Sequence, residues 1–111
     1  MKVGVVGHFD SMHLLPGHPK CGVPHGHTYR VEVSVEGPVK DGMVVDFDRL
    51  KKALREVLKD YDHADLNRFL GFPSCENIAA DLLGRLKTIL SHDRVTVRIW
   101  EGEGKWAECD G

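Results

Sequence analysis

The stretch TYRVEVSVE, residues 28–36, decides the fold class. Tyr29, Val31, Val33 and Val35 fall on one side; Thr28, Arg30, Glu32, Ser34 and Glu36 fall on the other. Side chains alternate across an extended chain, so this pattern predicts a strand with one apolar and one polar face. DRVTVRIWE, residues 93–101, repeats it, with Val95, Val97 and Ile99 opposed to Thr96 and Arg98. Residues 2–9 predict a further strand from Val3, Val5 and Val6, weakened by Gly4 and Gly7. After a turn at Gly102-Glu103-Gly104, KWAEC predicts a short last strand.

Between the strands the period changes. Phe47, Leu50, Leu54, Val57, Leu58 and Tyr61 recur at helical spacing, predicting a helix from Phe47 to about Lys59 with Asp46 as its N-cap. Ile78, Ala79, Leu82, Leu83, Leu86, Ile89 and Leu90 form a second stripe, opened by Ser74 as cap and Glu76 in the first turn. Residues 10–26, with three prolines and three glycines, predict a loop. GPVKDG, residues 37–42, is a turn, MVVDF a short extended piece, and residues 61–73 a second loop.

The order is therefore β-β-α-α-β-β. It predicts an α+β protein in which two helices cover one face of a four-stranded, mainly antiparallel sheet. The opposite face, with Arg30, Glu32, Ser34, Thr96 and Arg98, is polar enough for solvent or for a wet interior between subunits. First and last strands are expected at the sheet edges, where joining copies of the chain would cover them, so an oligomer is expected.

The 111 residues suit one domain spanning 1–111. A net charge of -2 gives no basis for bulk attraction to nucleic acid or membrane, and no apolar run approaches the ~18 residues of a membrane span. MKVGVVGHF turns polar too early for a signal peptide. Cys21, Cys75 and Cys109 are odd in number and widely spaced, which implies no disulfide framework and fits a reducing cytosol.

Five of the seven histidines lie in residues 1–40. His25 and His27 are two apart at the mouth of a strand, so both point to one face if residue 25 is extended; Gly26 leaves clearance between them. With His13 folded back they supply three imidazoles and an open fourth position, the pattern of a catalytic zinc site. Cys21 as fourth ligand would close the site, and a turn whose histidines merely hydrogen-bond is the plainer reading. His8 and His18 compete for ligand roles. Asp62 and His63 can orient one another, or serve as helix-end capping residues. Glu101 ends a strand, where its carboxylate can accept two N–H bonds from a guanidine-like edge or simply face solvent. Trp100 and Trp106 are candidates to stack on a flat ligand or to pack the sheet.

Taken together, HFDSMH ending at His13, CGVPHGHTYRVEV, GMVVDFDRLKKAL, DYDHADLN, PSCENIA and VRIWEGEGKWAE resemble the 6-pyruvoyl- and 6-carboxy-tetrahydropterin synthase family over nearly the whole chain. The resemblance implies the tunnelling fold, with three sheets closing into a barrel and two rings stacking as a hexamer. It implies zinc held by His13, His25 and His27, and Cys21 as a general base off the metal. It assigns Asp62 and His63 to a second proton transfer, Glu101 to anchoring the pterin ring, and Glu76 to a position near the substrate. Three residues separate Cys21 from His25, a spacing similar to the carboxy-pterin synthases of bacteria and archaea. The implied reaction takes 7,8-dihydroneopterin triphosphate to 6-carboxy-5,6,7,8-tetrahydropterin, releasing acetaldehyde and triphosphate, toward queuosine or archaeosine. A pyruvoyl synthase, a related dihydroneopterin lyase and a non-catalytic zinc or pterin binder are the alternatives. Lys20, Arg30 and Lys105 are candidate triphosphate contacts. Leu14 stands where many relatives carry arginine, PSCEN replaces the usual PT-x-EN, and Cys109 replaces an aromatic.

Overall fold

The computed structural model describes residues 1–92 and 94–111. Strand β1 is Lys2–His13, β2 His25–Glu36, β3 Val95–Glu101 and β4 Lys105–Asp110. Helix α1 is Phe47–Leu58 and α2 Cys75–Leu90, with a 3-10 turn at Leu66–Arg68 between them. The strands form one antiparallel sheet in the order β1-β2-β3-β4, so β1 and β4 are its edges, as the sequence predicts. Asp93, included in the predicted third strand, lies outside the described residues.

Alternation explains the core. Tyr29, Val31, Val33 and Val35 of β2 and Val95, Val97 and Ile99 of β3 are fully buried beneath Leu50, Leu54 and Leu58 of α1 and Ile78, Leu82 and Leu86 of α2. Two stripe positions miss it: Phe47 and Ile89 lie at the flanks of their helices and are exposed. Both predicted caps are in place. Asp46 accepts from the Asp48 N–H, and Ser74 from that of Asn77. Gly7 is needed for helix contact, since a Cβ there would stand 2.9 Å from Leu54 Cδ2 and 3.0 Å from Leu58 Cδ1. No described helix is long and apolar enough to cross a membrane.

The predicted loop over 10–26 is largely corrected. β1 continues through Asp10, Ser11, Met12 and His13, and β2 already begins at His25, three residues before Thr28. Pairing, which a local pattern does not register, carries both strands on: Asp10 faces Thr28, Ser11 faces His27 and His13 faces His25. Only 14–24 remains as loop. Residues 43–46 form no strand, but Lys40 and Met43 make an isolated bridge.

Candidate metal centre and adjoining groups

The extended strands bring three histidines together. His13 and His25 are register partners, and His27 lies two residues along on the same side of β2. One ring nitrogen from each falls within 4.8 Å of the others. The rings meet edge to face, with centroids 4.6, 5.0 and 4.7 Å apart.

Their protonation follows from the surrounding acceptors. His13 Nδ1 lies 2.8 Å from the Pro73 carbonyl oxygen, and His25 Nδ1 lies 2.7 Å from that of Val23. A carbonyl only accepts, so both Nδ1 atoms carry the proton in neutral imidazole. The two Nε2 lone pairs then face one another at 3.0 Å. His27 Nε2 is buried with no hydrogen-bond partner among the described residues. Three convergent ring nitrogens, two of them lone pairs aimed inward by backbone carbonyls, fit a metal ion. Burial lowers the His27 pKa; Glu101 opposes that shift, while His13, His25 and Lys105 reinforce it. Cys21 Sγ is not part of this cluster, so the closed four-ligand arrangement is not formed.

Cys21 sits half-buried in the loop ahead of His25. His18 organises that loop: its Nδ1 accepts the Lys20 N–H at 3.1 Å and the Cys21 N–H at 2.9 Å. His18 thus lies outside the cluster, and so does His8, which is exposed on the outer face of β1.

Glu101, at the end of β3, leans over His27. Its Oε1 is 3.5 Å from His27 Nε2 and accepts from Lys105 Nζ at 3.0 Å. Its Oε2 takes the Cys75 thiol at 3.8 Å. Burial raises the Glu101 carboxyl, but the Lys105 hydrogen bond and the charges of His27 and Lys105 outweigh it and hold it below the usual range. Burial, then the Glu101 charge, push the Cys75 thiol up to about 12. The Glu101 hydrogen bond and charge raise the Lys105 pKa in turn.

Asp62 and His63 form the expected pair: Asp62 Oδ2 accepts from His63 Nδ1 at 2.8 Å. The pair is pinned to the free edge of β1. Asp62 Oδ1 accepts the Asp10 N–H at 3.0 Å, and the His63 N–H donates to the Asp10 carbonyl at 2.6 Å. His63 holds φ at +56°, a left-handed turn that those two bonds maintain. Its ring is exposed and borders an open depression of ≈ 950 Å³ shared with Asp10, Met12, Thr28, Arg68 and His27. No described contact joins the pair to the other two histidines. His13 points toward the start of α2, whereas the pair sits at the edge.

Glu76 is exposed in the first turn of α2 and makes no described side-chain hydrogen bond. Among the proposed phosphate contacts, Arg30 pairs with Glu32 at 3.0 Å on the outer face and Lys20 is exposed. Trp100 and Trp106 pack against each other on that outer face, 5.9 Å between centroids, and Arg98 covers Trp106 at 4.2 Å. Sequence reasoning missed Cys75 beside Glu101. Its position at the first turn of α2, within PSCEN, was the only available signal.

A family model described as 6-pyruvoyl tetrahydropterin synthase matches residues 2–111. An Archaeoglobus fulgidus relative named "Putative 6-carboxy-5,6,7,8-tetrahydropterin synthase" is 42% identical over 109 residues, covering 97% of this chain and 94% of the relative. A "Dihydroneopterin monophosphate aldolase" of Pyrococcus furiosus is 44% identical over 80 residues, 70% of each chain. The solved 6-pyruvoyl tetrahydropterin synthase of Caenorhabditis elegans superposes with a TM-score of 0.87 at 26% identity, covering 100% of this chain and 95% of that one. By strand order, helix placement and this whole-length match, the chain belongs to the 6-pyruvoyl tetrahydropterin synthase family.

Proposed function

We propose that the chain is a zinc-dependent pterin lyase. In this reading it converts 7,8-dihydroneopterin triphosphate and water to 6-carboxy-5,6,7,8-tetrahydropterin, acetaldehyde and triphosphate. The C1′–C2′ bond of the side chain breaks; C1′ stays on C6 and is oxidised to the carboxylate, C2′ and C3′ leave as acetaldehyde with triphosphate lost from C3′, and the C6=N5 bond of the ring is reduced. The observation that carries the reading is the set of convergent imidazole nitrogens of His13, His25 and His27, with Glu101 beside them.

His13, His25 and His27 would hold the zinc, which when bound supplies Lewis-acid stabilisation of negative charge on the side-chain oxygens. Glu101 accepts the two parallel N–H groups of the pterin edge and sets which end of the ring enters. Cys21 removes a proton from the side chain, and its loop, tied by His18, sets where that thiol stands. His63, its Nδ1–H held by Asp62, presents Nε2 for the second proton transfer. Because this pair lies at a sheet edge, a second copy is the natural way to bring it to another copy's imidazoles, and a hexamer built as a dimer of trimers is the assembly proposed. Glu76 remains a proposed neighbour of the substrate. The product would feed cytoplasmic 7-deazaguanine synthesis, for queuosine or archaeosine.

The Pyrococcus relative supports a second reading, aldol cleavage of a phosphorylated dihydroneopterin to a 6-hydroxymethyl pterin. Leu14, apolar where a phosphate contact is expected, is compatible with a less charged substrate. Mass spectrometry of products from dihydroneopterin triphosphate and monophosphate decides. Carboxy-pterin with acetaldehyde supports the first reading; a hydroxymethyl or pyruvoyl product overturns it.

A further inference from the structure

The loop over 14–24 carries Cys21 between two fixed ends. Asn67 holds its start: Oδ1 accepts the Leu14 N–H at 2.9 Å, and Nδ2 donates to the Leu14 carbonyl at 3.0 Å. At its exit the Val23 carbonyl holds His25 Nδ1 at 2.7 Å. In between, the chain reverses over Leu15-Pro16-Gly17-His18. Gly17 takes φ +80° and the His18 N–H reaches the Leu15 carbonyl at 3.0 Å, the pattern of a type II turn with proline first and glycine second at its centre. The Leu15 N–H then bonds the Cys21 carbonyl at 2.8 Å and closes the tip.

His18 fills the middle of this closure. Its Nδ1 accepts the Lys20 N–H at 3.1 Å and the Cys21 N–H at 2.9 Å. Pro19 has no N–H, so the ring takes the next two donors along the chain. The backbone passes so close that a Cβ on Gly22 would stand 2.7 Å from the His18 carbonyl oxygen. Among the described residues, no other side chain bonds the backbone of 15–22. Accepting an N–H needs a lone pair, so His18 carries its proton on Nε2, the opposite tautomer from His13 and His25.

We propose that His18 is a positioning residue whose Nδ1, a fixed acceptor for two backbone N–H groups, shapes the turn that presents the Cys21 thiol. Its catalytic consequence rests on Cys21 being the base of the proposed reaction; the placement of the thiol is tested apart from it. The required feature is an acceptor at the δ1 position, which asparagine also offers through Oδ1 and leucine does not.

The test is peptide-mapped iodoacetamide labelling of the folded, zinc-loaded protein, with Cys75 and Cys109 as internal references. In His18→Leu, labelling of Cys21 alone should rise by about tenfold, the scale of losing one or two neutral hydrogen bonds that hold a loop closed. In His18→Asn it should stay within about twofold of the wild type, because the same two N–H groups keep an acceptor. Heteronuclear NMR of the wild-type imidazoles should show His18 as the Nε2–H tautomer. Wild-type labelling in His18→Leu, Asn no better than Leu, or an Nδ1–H tautomer at His18 each overturns the proposal. Should His18→Leu fail to hold zinc, the tautomer and the His18→Asn rate still decide. Turnover of His18→Leu should fall by about tenfold or more, as expected when a reacting group is misplaced. Raised Cys21 labelling with wild-type turnover supports the positioning role and overturns Cys21 as the base.

Discussion

Loading the three-histidine site with zinc should raise thermal stability, by an amount that binding linkage sets. Without an ion, two Nε2 lone pairs face each other at 3.0 Å, and His27 Nε2 makes no hydrogen bond among the described residues, with Glu101 Oε1 3.5 Å away. The carbonyls of Pro73 and Val23 keep the first two rings aimed inward in the folded chain, an arrangement the unfolded chain lacks. Zinc held by these three rings would therefore bind the folded state preferentially. At a free zinc concentration of about 100 times Kd, this linkage contributes about 2.7 kcal/mol. For 111 residues, an unfolding entropy of about 2.1 cal/mol/K per residue sums to about 0.23 kcal/mol/K, so Tm should rise by about 12 °C. The assay is differential scanning calorimetry of chelator-stripped protein with increasing zinc, beside His25→Ala, which removes one ligand without opening the buried His13 position. A rise of about 10 °C or more in the wild type, mostly lost in His25→Ala, is expected. A shift under about 2 °C at saturating zinc, or an equal shift in both proteins, would refute the reasoning.

Three further outcomes are expected. The Cys75 thiol is raised by burial from 9.0 to about 12, so its contribution to stability is full below pH 9 and lost as pH rises from 9 toward 12; it should resist iodoacetamide at pH 9 in the folded protein and react once the protein is unfolded, and Cys75→Ser should flatten the alkaline loss in urea titrations. His63→Asn should leave zinc content unchanged and lower turnover by about 10²–10⁴-fold, the range for one general acid or base. Leu82→Ala, at a fully buried position between α2 and the sheet, should cost about 2–5 kcal/mol in denaturant unfolding.

The parts of the fold visible in the sequence were those with a local period. Tyr29 to Val35 and Val95 to Ile99 alternate because one face is core, and Leu50 to Leu58 recur because one stripe of α1 packs on it. Asp46 and Ser74 were readable as caps because a short oxygen-bearing side chain beside a helical pattern has one common use. The extensions of β1 and β2 were not readable. His13, His25 and their neighbours carry no apolar alternation, and only the strand pairing holds them extended. The candidate ligands were visible as residue types, but the tautomers that make them ligands depend on the carbonyls of Val23 and of Pro73, sixty residues from His13. Cys75 lay hidden for a similar reason: nothing local to PSCEN points to the end of β3. Lys105, read as a candidate for phosphate, is paired with Glu101 across the β3–β4 turn, a contact that nothing local to it announces.

The central claim is a division of labour within CGVPHGH: the histidines hold metal, and the cysteine moves a proton. The most direct measurement is zinc content together with turnover of dihydroneopterin triphosphate for Cys21→Ala. The account predicts wild-type zinc, about one ion per chain as a three-histidine site holds, and turnover lowered by about 10²-fold or more. Loss of the zinc would make Cys21 a ligand, and retained turnover would leave it without a role; either result contradicts the account.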